Sequence, residues 1–458
     1  MPEVADTNSS EKNLPRGILA HVRTFLSPNE AYASDRPPLL RRRAMLFVLG
    51  PLAVLLTWVL AFFPGAVERF YADGMGPAIT RGLSALSGLT TVNLTGGVDA
   101  ALIVWLLWPA PRAIYHVIRR RRRVSNAALC GLGRFAATCG VLGTVFYASW
   151  GVNYARAGLI ERMGWNDPFA NPAVMPSMDA VEDEIAGLCA QLIDETNRAY
   201  EAATGSPDLG RPSGEDVTWA RMNASIDAGY RRVQGQLGLT PSFAEGRGPA
   251  KAFYSGELIS TLGIAGFYNP WTAEANINPF VPRCQMPSIV GHEKAHQRGI
   301  SSEDEANFFG YLACVACDDE YMRYSGLLFA QRQLLMVLLQ LDPERGEVLV
   351  KKRLPGVQRD VTDMKEFWRQ YEGPARTASL AVNNAYLKAN GVKGGLQSYS
   401  LSAKLIVIYA RENGGSCVPA RAADKGIGRV LSESASSSRV RFPRISSASR
   451  AWDSICSR

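Results

Sequence analysis

The sequence predicts a mainly α protein, with transmembrane helices near the N-terminus followed by an α+β domain carrying a small sheet. Three observations carry this. Residues 44–63 form a run of about 20 mostly apolar residues without a charge, enough to cross the roughly 30 Å hydrocarbon core of a bilayer, and Arg41, Arg42 and Arg43 flank its start. Two of the four histidines, His292 and His296, fall four apart with Glu293 in second place, a spacing that puts both rings on one helix face. Ahead of them, residues 253–278 mix glycine, aromatic and β-branched residues, the composition of a short sheet.

Taken in order, residues 1–43 are polar with scattered Pro and Ser and are expected to be a disordered cytoplasmic segment. Some forty residues therefore precede the first apolar run, which reads as an anchor and not as a cleavable signal peptide. A second stretch, 97–117, is interrupted by Asp99, Pro109, Pro111 and Arg112 and is followed by the arginine run 119–123. A third covers 127–150, with Arg134 near its start. Residues 44–150 are thus expected to be a membrane region with about three transmembrane helices. The lipid bilayer is the first partner the sequence implies. The positive-inside rule puts the N-terminus and the arginine loop in the cytoplasm and everything after Trp150 outside; a two-span hairpin would return that region to the cytoplasm. The formal net charge of +8 follows from these flanking arginines and a basic tail, so no nucleic-acid partner is invoked.

Beyond the membrane region, 178–203 reads as an amphipathic helix, 207–216 as a Gly/Pro/Asp loop and 217–237 as a shorter helix. Residues 287–298 carry the two histidines on a helix, and Gly299 turns the chain. Residues 306–328 read as helical, so Cys314-x-x-Cys317 within them is taken as packed thiols; there is no second such pair to complete a metal site. Six of the eight cysteines lie past the third apolar stretch, where an oxidising compartment would permit disulfides. Glu320–Leu341 and 361–389 read as long helices. From 412 to 458 the chain is Ser/Arg-rich and is expected to be a disordered tail. No internal repeat, P-loop or Rossmann glycine pattern appears, which leaves nucleotide-driven and dinucleotide chemistry without support.

The chemistry sits in one short stretch. On a helix the imidazoles of His292 and His296 stack about one turn apart, where a nitrogen of each can reach one tetrahedral Zn2+ ion. Glu293 then projects beside the metal, where a general base for a zinc-bound water has to sit. A third ligand must come from downstream of Gly299. Ser302 fits the N-cap of the next helix with Glu305 as its capping-box partner, which leaves Glu303, on the same face as Asn307, as the expected ligand and Glu305 as its substitute.

These residues resemble something known. The run Gly291-His292-Glu293-x-x-His296-Gln297-Arg298-Gly299, then Glu303-x-Glu305-Ala306-Asn307-Phe308, resembles an uncharacterised family of bacterial multi-pass membrane proteins defined only as a domain of unknown function. The likeness extends upstream to Gly266-Phe267-Tyr268-Asn269-Pro270-Trp271 and downstream to Arg323-Tyr324-Ser325-Gly326, Asn383-Asn384-Ala385-Tyr386-Leu387-Lys388 and Ser398-Tyr399-Ser400, covering most of 45–412. More coarsely, Glu303-x-x-Ala306-Asn307 is similar to the gluzincin pattern of a glutamate ligand followed by Ala-Asp, with Asn307 in place of the aspartate and a shorter gap from His296.

The resemblance implies a zincin-like metallopeptidase domain over 151–411, in an integral protein of a bacterial inner or plasma membrane, with the catalytic part extracytoplasmic. The metal would be held by His292, His296 and Glu303, with Glu293 as the base. By the same resemblance an edge strand at 263–268 would bind an extended peptide or protein substrate, and Tyr324 would donate to the oxyanion. Tyr386, Lys388, Tyr399, Glu274 and Asn276 fall in family-like blocks, where a structural role is the simpler reading. The alternative is a zinc-binding membrane sensor or scaffold without turnover, which would have no use for Glu293. Oligomeric state is not legible.

Overall fold

Among the described residues, three helices near the N-terminus are long and apolar enough to cross a membrane: Arg42–Leu60, Leu94–Ile118 and Val124–Ser149. The computed structural model describes residues 37–119, 124–170, 176–206, 217–390 and 401–419. Residues 1–36, most of the arginine loop, the 207–216 loop, Tyr399 and the run from 420 lie outside these residues. The first span is α1 (Pro37–Leu60). The second is interrupted: α3 (Leu94–Leu107) stops before Pro109, and α4 (Ala110–Ile118) restarts with a proline in its first turn, the position where the missing N–H costs nothing. The third is α5 (Val124–Ser149). Between the first two spans, a stretch that sequence analysis leaves unassigned, the chain forms a π-helical segment, Val67–Met75, and α2 (Gly76–Ser87).

The described residues fall into two compact units, those within 37–54 and 104–144 and those within 55–103 and 145–419. In the first, α1 and α5 approach at Gly140, where a Cβ would stand 2.2 Å from the Leu46 carbonyl oxygen. Small residues at such a crossing let two membrane helices pack backbone to backbone. The Arg134 guanidinium lies over the Trp105 ring, 4.0 Å from its centroid, and also donates to the Trp105 carbonyl.

The second unit holds the core. Helices α6 (Met178–Thr204) and α7 (Trp219–Leu237) begin at Ser177 and Thr218, each of whose hydroxyls accepts a backbone N–H of the first turn. Both end at a glycine in the left-handed region. A three-stranded sheet follows, with α8 (Gly256–Thr261) between β1 (Lys251–Ala252) and β2 (Gly266–Asn269), and then β3 (Glu274–Ile277). The order is β1-β3-β2, with β1 parallel and β2 antiparallel to the central β3. Strand β2 is therefore an edge.

Helices α9 (Met286–Gln297), α10 (Glu303–Ala316) and α11 (Glu320–Leu341) form the centre, and most of their side chains are buried. The expected continuous helix over 306–328 is broken. Cys317 is extended and the Asp319 carboxylate accepts the Tyr321 N–H, so α11 starts afresh with its own cap. The next helices are α12 (Pro343–Val350), α13 (Pro355–Arg369) and α14 (Pro374–Ala389). The single helix read over 361–389 is thus two, because Pro374 cannot continue a helix and opens a new one after Gly373. Last comes α15 (Leu401–Glu412). Structure does not stop at 412: Cys417 is fully buried, its N–H donates to Gln191, and its carbonyl accepts the Tyr311 hydroxyl.

The second span is tied to the sheet by a buried charge. The Glu274 carboxylate of β3 accepts the backbone N–H groups of Leu94 and Thr95, at 3.1 and 2.7 Å, and so caps α3. The ammonium of Lys251 on β1 completes the arrangement at 2.8 Å from Glu274. Burial pushes the Glu274 carboxyl up, but Lys251 and these N–H groups outweigh it and hold the carboxyl below its ordinary range.

Candidate metal centre

Helix α9 starts from a 3-10 turn at Arg283–Gln285 and is buried except at His292, which is half-buried. The chain then reverses at Gly299, whose φ of 79° favours glycine. That turn lays α10 back against α9. The two helices come close enough for backbone contact: a Cβ on Gly310 would stand 2.6 Å from the His292 nitrogen, and one on Gly291 would stand 2.8 Å from the Gly310 oxygen. This approach carries Glu303, the first residue of α10, to the histidines.

The Nε2 atoms of His292 and His296 are 3.0 Å apart. Glu303 places one carboxylate oxygen 3.3 Å from His292 Nε2 and the other 3.8 Å from His296 Nε2. One donor atom from each of the three residues lies within 4.8 Å of the others, a group that could hold a metal ion. The outer ring nitrogens are occupied. His292 Nδ1 donates to Asn307 Oδ1 at 2.8 Å, and His296 Nδ1 donates to the Ile300 carbonyl at 2.6 Å. Those bonds turn both Nε2 atoms inward, the arrangement that orients metal-binding imidazoles. Asn307 is itself held by donating to Ser402 on α15.

Charge is balanced by protons here. Burial alone would lower His292, but the Glu303 hydrogen bond and the neighbouring carboxylates lift it to about 9. Burial depresses His296 to about 4, against the pull of Glu303. Burial raises Glu293 to about 8, with the Glu303 charge adding to it against the opposing pull of His292. Glu293 is itself buried, only 3% exposed. Its Oε2 is buried with no hydrogen-bond partner, and its Oε1 lies 2.8 Å from where a Cβ on Gly266 would be. The first residue of edge strand β2 is thus pressed against the carboxylate, and glycine leaves it room.

A donor set of two imidazoles and one carboxylate, with outer-sphere partners on both rings and an orphaned carboxylate alongside, fits zinc. Glu305 does not compete as a ligand, and the expected capping box does not form. Its carboxylate accepts the Leu159 N–H at 2.7 Å and pairs with Arg162, while the Ser302 hydroxyl donates to Asp304. Tyr324 is not brought to the cluster. It is fully buried, packs its ring on Tyr200, and donates its hydroxyl to Asp360 at 2.8 Å. Cys314 and Cys317 are buried free thiols, and burial pushes both well above the ordinary thiol range.

Two other tyrosines stand by Glu303. The Tyr154 hydroxyl donates to the Tyr386 hydroxyl at 3.1 Å. Burial raises both, and the Glu303 charge adds to the rise in each, Tyr386 reaching about 12. Tyr154 was missed from sequence, although Phe146, Trp150 and Tyr154 recur at every fourth position where the third span ends. Trp150 reinforces the site by donating its indole N–H to the His296 carbonyl at 2.9 Å.

The fold and site define a mainly helical protein with three candidate membrane helices, a small sheet and a His-His-Glu cluster on two antiparallel helices. The chain belongs to the family described as Protein of unknown function (DUF3810), whose sequence pattern matches residues 71–407. No curated protein and no solved structure matches it.

Proposed function

We propose that this protein is a membrane-anchored zinc hydrolase of peptide or amide bonds, with His292, His296 and Glu303 holding the metal and Glu293 acting as general base. The orphaned Oε2 of Glu293 carries the reading. A buried carboxylate oxygen without a partner costs on the order of 1–3 kcal/mol, and neither a structural zinc site nor a polar scaffold has a use for one. Zinc supplies Lewis acidity, bringing the ionisation of a water near neutral pH and polarising a carbonyl.

The chain's own residues do the rest. Glu293 Oε2 takes a proton from the attacking water and returns it to the leaving nitrogen, a role worth about 10²–10⁴ in rate. Because Tyr154 donates to Tyr386, the Tyr386 hydroxyl keeps its own proton for a developing oxyanion. The edge strand β2, antiparallel to β3 and starting at Gly266 against Glu293, offers its open side to an extended polypeptide backbone. On these grounds we read residues 151–411 as zincin-like. We place them outside the cytoplasm on the arginines that flank the first span and follow the second.

The test is turnover by the full-length, zinc-loaded protein on a mixed peptide library. Wild type is expected to cleave, and Glu293→Gln is expected to keep its zinc and lose at least about 100-fold in rate. Equal rates in the two proteins would remove Glu293 from the chemistry. No turnover at full zinc occupancy would favour the sensor reading.

A further inference from the structure

Beyond residue 150 the exposed large apolar side chains are not scattered. Among the described residues they gather at three places: Tyr254 and Leu258 at the start of α8, Trp271 and Phe280 on the loops flanking β3, and α14, where Val382 is 70% exposed and Leu380 41%. Only Met336 and Val348 lie on other elements, α11 and α12. Exposed apolar surface gathered in this way marks an interaction site.

Each place is continuous with the end of a span. The Tyr254 ring occupies the space a side chain on Gly96 would need, Cε1 being 1.7 Å from that Cβ position, and Gly96 is in the first turn of the second span. Phe280 covers the start of α8, with Cδ2 2.8 Å from the Cβ position of Gly256. Trp271 and Tyr386 both pack on Phe146 in the last turn of the third span, at centroid distances of 6.2 and 6.4 Å. A chain that crosses at Leu94–Ile118 and recrosses at Val124–Ser149 returns to the side it left, so both span ends belong to one membrane face. Tyrosine and tryptophan are the residues that favour that depth.

We propose that this apolar rim is a lipid-docking surface, seated in the headgroup layer of the bilayer that the spans cross. The metal centre is then held at the bilayer surface, since His296 accepts the indole N–H of Trp150, the first residue after the third span. The inference goes beyond the hydrolase reading and does not depend on it.

Full-length protein carrying the photocrosslinker p-benzoylphenylalanine at Leu258, Phe280 or Val382 would be reconstituted in phosphatidylethanolamine/phosphatidylglycerol vesicles and irradiated. Leu107, exposed within the second span, is the positive control, and Met336 the negative. The expected result is a mass shift of one phospholipid at the three rim positions and at Leu107, and none at Met336. Adducts at Leu107 alone would overturn the proposal, as would rim crosslinks to the same chain or to a second copy. Zinc content measured on the same vesicles reports the metal reading separately: lipid adducts without zinc keep the rim and remove the hydrolase.

Discussion

At the scale of single residues, the cluster makes distinct demands on each side chain. Asn307 only orients His292, so Asn307→Ala is expected to weaken zinc affinity about 10–100-fold while leaving the three ligands in place, read by competition with a fluorescent chelator. Gly266→Ala places a methyl within 2.8 Å of Glu293 Oε1, so it is expected to lower turnover with zinc content unchanged. Unaltered turnover in that variant would show that the carboxylate can shift without consequence. The juxtaposition of His292, His296 and Glu303 was legible in the sequence because its signal is local: two histidines and a glutamate on one helix, and a second glutamate just past a glycine turn. The tyrosines were not. Tyr154 and Tyr386 are 232 positions apart and meet only through tertiary packing, and Tyr324 looked suitable until its hydroxyl proved to be held by Asp360.

At the scale of elements, the sheet and the start of the second span are joined through one buried ion pair. Glu274 on β3 caps α3 and pairs with Lys251 on β1, both side chains being almost fully buried. Removing the lysine leaves an uncompensated buried carboxylate, so Lys251→Met is expected to destabilise by about 3–5 kcal/mol, seen as a lower thermal midpoint. A pH dependence follows from the same group. Its folded pKa lies below its ordinary value, so its contribution is present above the unfolded carboxylate range, near 4.3, and is lost as pH falls through the lower folded value. Thermal midpoints measured from pH 7 down to pH 3 should fall more steeply below about pH 4.5 in wild type than in a Glu274→Gln, Lys251→Met pair; parallel curves would contradict the assignment. Helix periodicity located most of the elements. It missed the breaks at Cys317 and Gly373, because apolar spacing continues across both while a cap and a proline end the hydrogen-bond ladder.

At the scale of the whole molecule, the chain reads as three candidate membrane spans followed by a domain whose buried helix α9 carries the two clustered histidines. The spans were legible from composition, apart from their limits, which move by a few residues once Pro109 and the Glu274 cap act. The segment between the first two spans was not, since Val67–Met75 and α2 have short, mixed patterns whose role appears only in contacts such as the Tyr71 hydroxyl donating to Ala148.

The most direct test of the account is zinc per chain, measured by elemental mass spectrometry on the full-length protein in lipid nanodiscs. One zinc is expected in wild type, nearly one in Glu293→Gln and little in Glu303→Ala. Absence of zinc from folded wild type after incubation with the ion, or full occupancy in Glu303→Ala, would contradict it.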